Sequence, residues 1–274
     1  MTKFKPEIES GGLSVVGPVR EDNQDSIHLP NDGQAIMPGY LFAVADGMGG
    51  YAHGGMASRL ALEIFSGILA SQNGSSISRT LQRGVEASNL RVYQKAEQLG
   101  VGRMGTTLTA AYVLGDMLHL AHVGDSRAYL IRDGHATCLT EDHTMVGDMV
   151  RAKILSPDKI RTHAQRSVLN KAIGIGLFVQ PDIIQKKLRE DDRLILCSDG
   201  VWSVIDDDDF ARVSAKNASV DLISQKLVDL ALQNETDDNA SVVVLHLKKL
   251  TASPVEQDSR RENNWLQSLR KFLP

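Results

Sequence analysis

Four aspartates in this 274-residue chain stand where apolar runs meet turns: Ala45-Asp46-Gly47, Gly124-Asp125-Ser126, Ser198-Asp199-Gly200 and Asp237-Asp238-Asn239. A carboxylate at the end of a buried strand sits at a sheet edge, where leaving water is costly unless a cation or a donor meets it. A single Asp-Gly pair reads most simply as a turn. Four such strand ends point further, to convergence on a cation. All-oxygen ligands favour hard ions, so Mg²⁺ or Mn²⁺ is implied, and no Cys or His cluster stands at zinc spacing.

The rest of the chain supplies the framework. Short β-like runs at Leu13 to Val16 and Tyr40 to Ala45 flank a loop carrying Arg20, Asp22, Asn23, Gln24 and Asp25. After a glycine-dense stretch, Ala57, Leu60, Ala61, Ile64, Phe65 and Ile68 repeat with the spacing of an amphipathic helix, and a second helix is expected over Ile77 to Leu99. From Thr107 the period changes to that of strands. Thr107 to Leu114, Met117 to Val123, Arg127 to Ile131 and Ala136 to Leu139 read as one antiparallel meander, with Gly115-Asp116 and Asp133-Gly134 as hairpin turns. Residues 143 to 180 read as mixed helix and loop. A strand at Asp192 to Cys197, a helix through Ile223, Leu227 and Ala231, and a last strand at Ala240 to Leu247 complete the pattern. Blocks of helices and antiparallel strands without regular βαβ alternation argue for an α+β layered fold.

Composition narrows the function classes. With 42% hydrophobic and 23% charged residues the chain can build a sizeable core, and a net charge of −4 offers no basic field for nucleic acid. No run of apolar residues is long enough to span a membrane, and Met1 to Ser10 lacks a signal-type apolar segment, so a cytoplasmic protein is expected. Cys138 and Cys197 sit in β-like runs, where reduced, buried thiols are usual.

Several motifs occur in a fixed order: Gly17-x-x-Arg20-x-x-Asn23-Gln24-Asp25, Val44-Ala45-Asp46-Gly47-Met48-Gly49-Gly50, Gly105-Thr106-Thr107, and Val123-Gly124-Asp125-Ser126-Arg127. Leu139-Thr140-x-Asp142-His143, Leu196-Cys197-Ser198-Asp199-Gly200-Val201-Trp202 and Asp238-Asn239 follow. In these motifs the chain resembles the PPM family, the type 2C metal-dependent serine/threonine phosphatases, and within it the compact bacterial branch. The resemblance runs from Leu13 to Leu247. It implies a four-layer αββα sandwich of two antiparallel sheets flanked by helices, forming one domain over residues 1–249. A polar linker and a short amphipathic C-terminal helix are expected over 250–274.

The resemblance also assigns roles. Asp46 is the bridging carboxylate, Asp199 and Asp238 complete the first metal, and the Gly47 carbonyl touches the second. Asp125 and Asp199 hold a weaker third metal, while Asp25 acts as an outer-shell or partial ligand. Two or three Mn²⁺ or Mg²⁺ ions are therefore implied, with Arg20 as the phosphate clamp, since a guanidinium fork matches two phosphoryl oxygens. The reaction implied is hydrolysis of phosphoserine or phosphothreonine in proteins by direct attack of a metal-bridging water. Met48 stands where many eukaryotic relatives carry a histidine proposed to protonate the leaving oxygen. A metal-bound water is the preferred donor in its place, with His53 as the alternative.

Other signals weigh less. Gly100-x-Gly102-x-x-Gly105 follows a helix and enters a strand, the reverse of the dinucleotide-binding context. Cys197 lacks the arginine six residues on that a thiol phosphatase needs. His119 and His122, three apart in a strand, face opposite sides. Asp206 to Asp209 reads as a solvated helix start. Residues 144–172 match the family's variable flap, a substrate-selecting element, and the tail, with Trp265 and Phe272 near basic residues, is a candidate partner-docking segment. Two readings stay open: an active phosphatase, acting opposite a serine/threonine kinase, or a weak or inactive member that binds phosphoproteins or regulates a kinase. Retention of Arg20, Asp46, Asp199 and Asp238 favours the first.

Overall fold

The computed structural model describes residues 6–30, 39–49, 53–71, 76–214 and 218–250. One sheet has five strands: β1 (Glu7–Val15), β11 (Ala240–Lys249), β10 (Arg193–Cys197), β7 (Arg127–Arg132) and β8 (His135–Cys138), in that spatial order. The other orders β2 (Asp25–His28), β3 (Tyr40–Met48), β5 (Leu108–Leu114), β6 (Met117–Val123) and β9 (Asp182–Lys187), with the two-residue β4 (Gly105–Thr106) paired to the end of β3. Every pairing is antiparallel.

Side-chain alternation along the central strands builds four layers. In β3, Leu41, Ala43 and Ala45 join the core beneath helices α1 (His53–Ala70) and α2 (Ile77–Leu99), whereas Phe42 and Val44 join the core between the sheets. In β11, Ala240, Val242 and Val244 pack toward α4 (Asp199–Trp202), α5 (Asp207–Val213) and α6 (Val220–Gln233), while Val243, Leu245 and Leu247 face the other sheet. A strand buried on both faces needs an unbroken apolar run, which is why these stretches lack the apolar–polar alternation of a half-exposed sheet. The expected α+β, four-layer arrangement of two antiparallel sheets flanked by helices is the one observed.

The helices begin and end where local chemistry dictates. Ser76 caps α2 by accepting from the Arg79 amide at 3.4 Å, and Gly100 ends it at φ 66°, a left-handed conformation that glycine adopts without Cβ strain. The observed bounds match those expected from periodicity. Ser219 caps α6 in the same way.

Four expectations need correction. The strands from 107 to 139 do not form one meander: β5 and β6 form a hairpin in one sheet, β7 and β8 a hairpin in the other, and residues 124–126 carry the chain across. Each hairpin is locally antiparallel, so strand periodicity alone cannot reveal the change of sheet. The loop expected between Val16 and Tyr40 is interrupted by a strand, β2, which pairs with β3 from Asp25 onward. Residues 143–180 are mixed helix and loop, as expected, with helix α3 (Met145–Arg151), but they are followed by a strand, β9, whose exposed and polar outer half carries no apolar strand signal. Cys138 is half-buried rather than buried, since β8 is an edge strand; Cys197 is buried.

Among the described residues no helix is long and apolar enough to cross a membrane. The linker and helix expected over 250–274 lie outside the described residues except for Leu250, which packs on the inter-sheet core. Phe42 is fully buried in that core. Phe42→Ala should cost about 3–5 kcal/mol of stability, as large aromatic truncations in tight cores do. Urea unfolding followed by circular dichroism measures it, and a loss below about 1 kcal/mol would contradict packing of the two sheets at this position.

Candidate metal and phosphate site

The inter-sheet face changes character at one end of the sandwich. Continuing the alternation, Phe42 and Val44 lead to Asp46, Leu196 leads to Ser198, Val243 to Ser241, and Ala128 to Ser126. The apolar slab thus ends in a polar layer. Asp46 lies within β3 rather than after it, as the sequence had implied, because the strand runs on to Met48 by exchanging β5 for β4 as its neighbour. Its backbone is fixed on both sides: its amide donates to Thr107 Oγ1 at 2.9 Å, and its carbonyl accepts from Thr106 Oγ1 at 2.9 Å and from the Thr107 amide at 2.8 Å.

Asp25 is the direct cross-strand partner of Asp46. Like charges placed opposite each other in a sheet repel. Asp25 is 7% exposed and lies behind the cleft wall, where Ser198 Oγ donates to its Oδ2 at 2.8 Å. Burial, with the nearby charges of Asp199 and Asp238, raises its pKa to about 7 despite the serine hydrogen bonds.

Asp46, Gly47, Asp125, Asp199, Asp238 and Arg20 all line one cleft of about 460 Å³. Six of the seven expected site residues therefore meet, and Asp25 stands just behind them. Burial first, then repulsion from Asp25, Asp199, Asp125 and Asp238, pushes the Asp46 carboxyl well above the usual carboxylate range. Asp125 is raised by burial and then by Asp199 and Asp142. Asp199, raised to about 6 by burial and Asp238, is close enough to Asp46 for their carboxyls to share a hydrogen bond.

Each remaining piece is held by a contact to another part of the chain. A Cβ on Gly47 would stand 2.1 Å from the Gly54 carbonyl oxygen at the start of α1, and one on Gly200 would stand 2.1 Å from that of Asn239. Only glycine allows these approaches. Asn239, 4% exposed, staples the Arg20 loop to the Asp238 turn: its Nδ2 donates to Val16 O at 2.5 Å and Asp22 O at 3.0 Å, and its Oδ1 accepts from the Gln24 amide at 2.8 Å. Arg20 donates through Nη2 to Asp238 Oδ2 at 2.6 Å and through Nε to Asp237 O at 3.2 Å. With its side chain 53% exposed, it keeps further donors for an anion in the cleft.

The anchors Asn239, Ser198 and Trp202 were within motifs already noted but had no role assigned. Trp202 Nε1 donates to the Asp125 carbonyl at 2.8 Å, and the Arg127 guanidinium lies 3.5 Å over the Trp202 ring. Arg127 in turn makes a buried bidentate pair with Asp142, at 2.9 and 2.7 Å. A buried indole N–H needs an acceptor, and that requirement was the available signal. The flap reaches the cleft through Ser167 and Leu169, as expected for residues beside the site. His53, the first residue of α1, does not line the cleft. His122 is a satisfied structural residue, bonded to Thr109 Oγ1 at 2.9 Å and Glu141 O at 3.0 Å.

The donor set suits a hard cation. Asp25 Oδ1 and Asp199 Oδ1 are buried without a hydrogen-bond partner, an expensive condition for carboxylate oxygens. Among the described residues no three acidic, histidine or cysteine side chains close a cage around a single point. The carboxylates are spread along the cleft rather than closed on one point, and an all-oxygen donor set of this kind suits hard ions such as Mg²⁺ or Mn²⁺, which keep several waters.

Residues 20–231 match the family model described as Protein phosphatase 2C. The chain is 34% identical over 229 residues to the serine/threonine protein phosphatase PstP of Mycobacterium tuberculosis, a match covering 83% of this chain and 43% of that protein, so it spans less than half of that relative's length. Among solved structures, the Streptococcus agalactiae serine/threonine phosphatase superposes with a TM-score of 0.81 at 30% identity, covering 88% of this chain and 100% of that one. The PstP catalytic domain in complex with two manganese ions gives a TM-score of 0.77 at 31% identity, covering 88% and 99%. Together with the ordered motifs and the carboxylate-lined cleft, these matches establish that the chain belongs to the protein phosphatase 2C family.

Proposed function

We propose that this chain is a metal-dependent protein phosphatase that hydrolyses phosphoserine and phosphothreonine in other proteins. The observation that carries the reading is the meeting of Asp46, Asp125, Asp199 and Asp238 with Arg20 in one cleft. An acidic cleft would repel a phosphoryl group unless cations intervene, and a lone arginine cannot offset four carboxylates. Asp46, Asp199 and Asp238 would hold one ion, Asp46 and the Gly47 carbonyl a second, and Asp125 with Asp199 a third, with Asp25 supporting Asp46 from behind. Divalent ions supply an activated water nucleophile and neutralise phosphoryl oxygens when bound. Mn²⁺ is favoured by the two-manganese PstP catalytic domain, with Mg²⁺ the alternative.

The chain's own residues orient the substrate. Arg20 is placed by the Asp237–Asp238 turn to present donors to phosphoryl oxygens in the fork geometry that matches them. The Thr106 and Thr107 bonds keep the Asp46 backbone rigid, so its carboxylate need not reorganise during turnover. Residues 1–249 form the proposed catalytic unit. Free cysteines at 138 and 197 accord with a reducing, cytoplasmic setting, and a serine/threonine kinase is the natural opposing activity.

Hydrolysis of p-nitrophenyl phosphate and a phosphothreonine peptide with MnCl₂, MgCl₂ or EDTA tests the reading. Asp46→Ala should lower turnover by at least about a thousandfold with the fold retained, whereas Asp125→Ala should chiefly raise the metal concentration needed. Full activity in Asp46→Ala would sink the assignment.

The electrostatics carry a second expectation. Asp25 and Asp199 titrate near 7 and 6 in the fold against an ordinary 3.8, with Asp46 and Asp125 also raised. Between those values the fold binds more protons than the unfolded chain, so its stability falls as pH rises through that window. EDTA-treated protein should therefore melt at a lower temperature at pH 7.5 than at pH 5.5 (roughly 2 pH units apart, spanning these groups). Added Mn²⁺ should raise the melting temperature more at the higher pH, by about 2.7 kcal/mol of stability at a hundredfold excess over its Kd. A metal effect that is larger at the acidic pH would contradict the carboxylates as ligands.

A further inference from the structure

A second depression of about 450 Å³ adjoins the carboxylate cleft and shares Met48, Ser167 and Leu169 with it. Its character is opposite. Among the described residues no carboxylate lines it, while Arg103 and Lys171 do. Lys171 is already committed, its Nζ lying 3.4 Å from Asp182 Oδ1, but Arg103 is exposed and has no ion-pair partner among the described residues. The backbone of Arg103 runs beside the metal-site loop: a Cβ on Gly49 would stand 2.6 Å from its carbonyl oxygen.

The apolar part of the groove is displayed rather than buried. Phe178 is 94% exposed and Ile175 48%, with Val168 of the flap on the same wall at 45%. The segment that carries the first two is firmly held. Buried Asn89 on α2 donates Nδ2 to Gly176 O at 2.9 Å and Leu177 O at 3.1 Å, and its Oδ1 accepts from the Gly174 amide at 2.8 Å. Paired bonds of 3.0 and 2.9 Å between Thr106 and Ile173 anchor the preceding residues to the end of β4. A protein that spends a buried asparagine on fixing a loop whose tip is an exposed phenylalanine presents a preorganised contact, with little ordering left to cost affinity. Clustered exposed apolar groups beside a functional cleft mark an interaction surface.

We infer that this groove receives the substrate polypeptide beside its phosphorylated residue, selecting an apolar side chain against Phe178 and Ile175 and an acidic side chain at Arg103. The inference rests on the phosphatase reading and names the kind of phosphoprotein that site would take. Continuity with the cleft selects this occupant, because a chain whose phosphoryl group lies over Asp46 must leave the cleft along one of its walls. Charge agrees: the cleft's own surroundings, with Glu21 and Asp22, disfavour an acidic flank, whereas the Arg103 side accepts one.

Steady-state kinetics on the full Mn²⁺-loaded chain tests it with three substrates: p-nitrophenyl phosphate, a phosphothreonine peptide with leucine and aspartate flanks, and the same peptide with the aspartate replaced by lysine. The wild type should prefer the acidic peptide by about tenfold in kcat/KM. Phe178→Ser should raise KM for both peptides about five- to tenfold. Arg103→Glu should reverse the preference between the peptides. Neither substitution should alter turnover of p-nitrophenyl phosphate, which is too small to reach the groove. If p-nitrophenyl phosphate is not hydrolysed by the wild type, the phosphatase reading fails and this inference with it. If it is hydrolysed but the two peptides are treated alike by wild type and variants, the groove inference alone is overturned. It is likewise overturned if Phe178→Ser leaves peptide kinetics unchanged and instead converts a dimer to a monomer in sedimentation, which would identify a second copy of the chain as the occupant.

Discussion

Two carboxylates facing each other across neighbouring antiparallel strands govern the architecture of this protein. Asp25 and Asp46 are cross-strand partners at the polar end of the inter-sheet core, and Asp125, Asp199 and Asp238 press on the same region. Such a cluster opposes folding, so the surrounding structure must over-determine it. It does so with hydrogen bonds from Ser198, Thr106 and Thr107, with glycines that admit neighbouring backbone, and with Asn239 tying three segments together. The apolar slab between the sheets supplies the favourable free energy against which this local cost is set.

Much of this was legible in the sequence because it is written in short-range patterns. The bounds of α2 follow from Ser76, Gly100 and the apolar period between them, and the ends of β6 follow from an apolar run bounded by Asp116 and Gly124. What escaped depends on long-range partners. Nothing local distinguishes a β6-to-β7 connection that stays in one sheet from one that crosses to the other. The strand β2 was hidden because its first residue is a buried aspartate, a type that argues against a strand until its partners are known. The site aspartates were found from their turn motifs, but Asp46 proved to be an interior strand residue whose neighbour changes from β5 to β4. Alternation would have revealed its direction, since it has the same parity as Phe42 and Val44.

The site is also coupled mechanically to the flap. Arg161 donates through Nε to the Trp202 carbonyl at 2.9 Å and through Nη2 to Asp207 at 2.7 Å, while the Trp202 indole holds the Asp125 backbone. Arg151, at the end of α3, donates to the Asp142 carbonyl at 3.1 Å, and Asp142 grips the Arg127 that covers Trp202. Flap and carboxylate therefore share one indole ring. A displacement of the flap changes the packing of the residue that fixes Asp125, so a chain docking on the flap would act on the same element that positions this carboxylate.

The opposing chemistry of the two adjoining depressions gives the surface a division of labour. The cleft concentrates negative charge, which demands cations and thereby favours any phosphoryl group without regard to what carries it. Discrimination has to come from elsewhere, because a phosphoryl group looks the same on every serine and threonine. The neighbouring groove offers exposed apolar side chains on a fixed backbone and a guanidinium that has no ion-pair partner among the described residues. Placing selectivity there leaves the cleft carboxylates free of that demand, so the groove can vary in sequence without disturbing them. The exposed flap and the loop through Phe178 can change their side chains at little cost to the core, whereas Asp46, locked between two strands and two threonines, cannot.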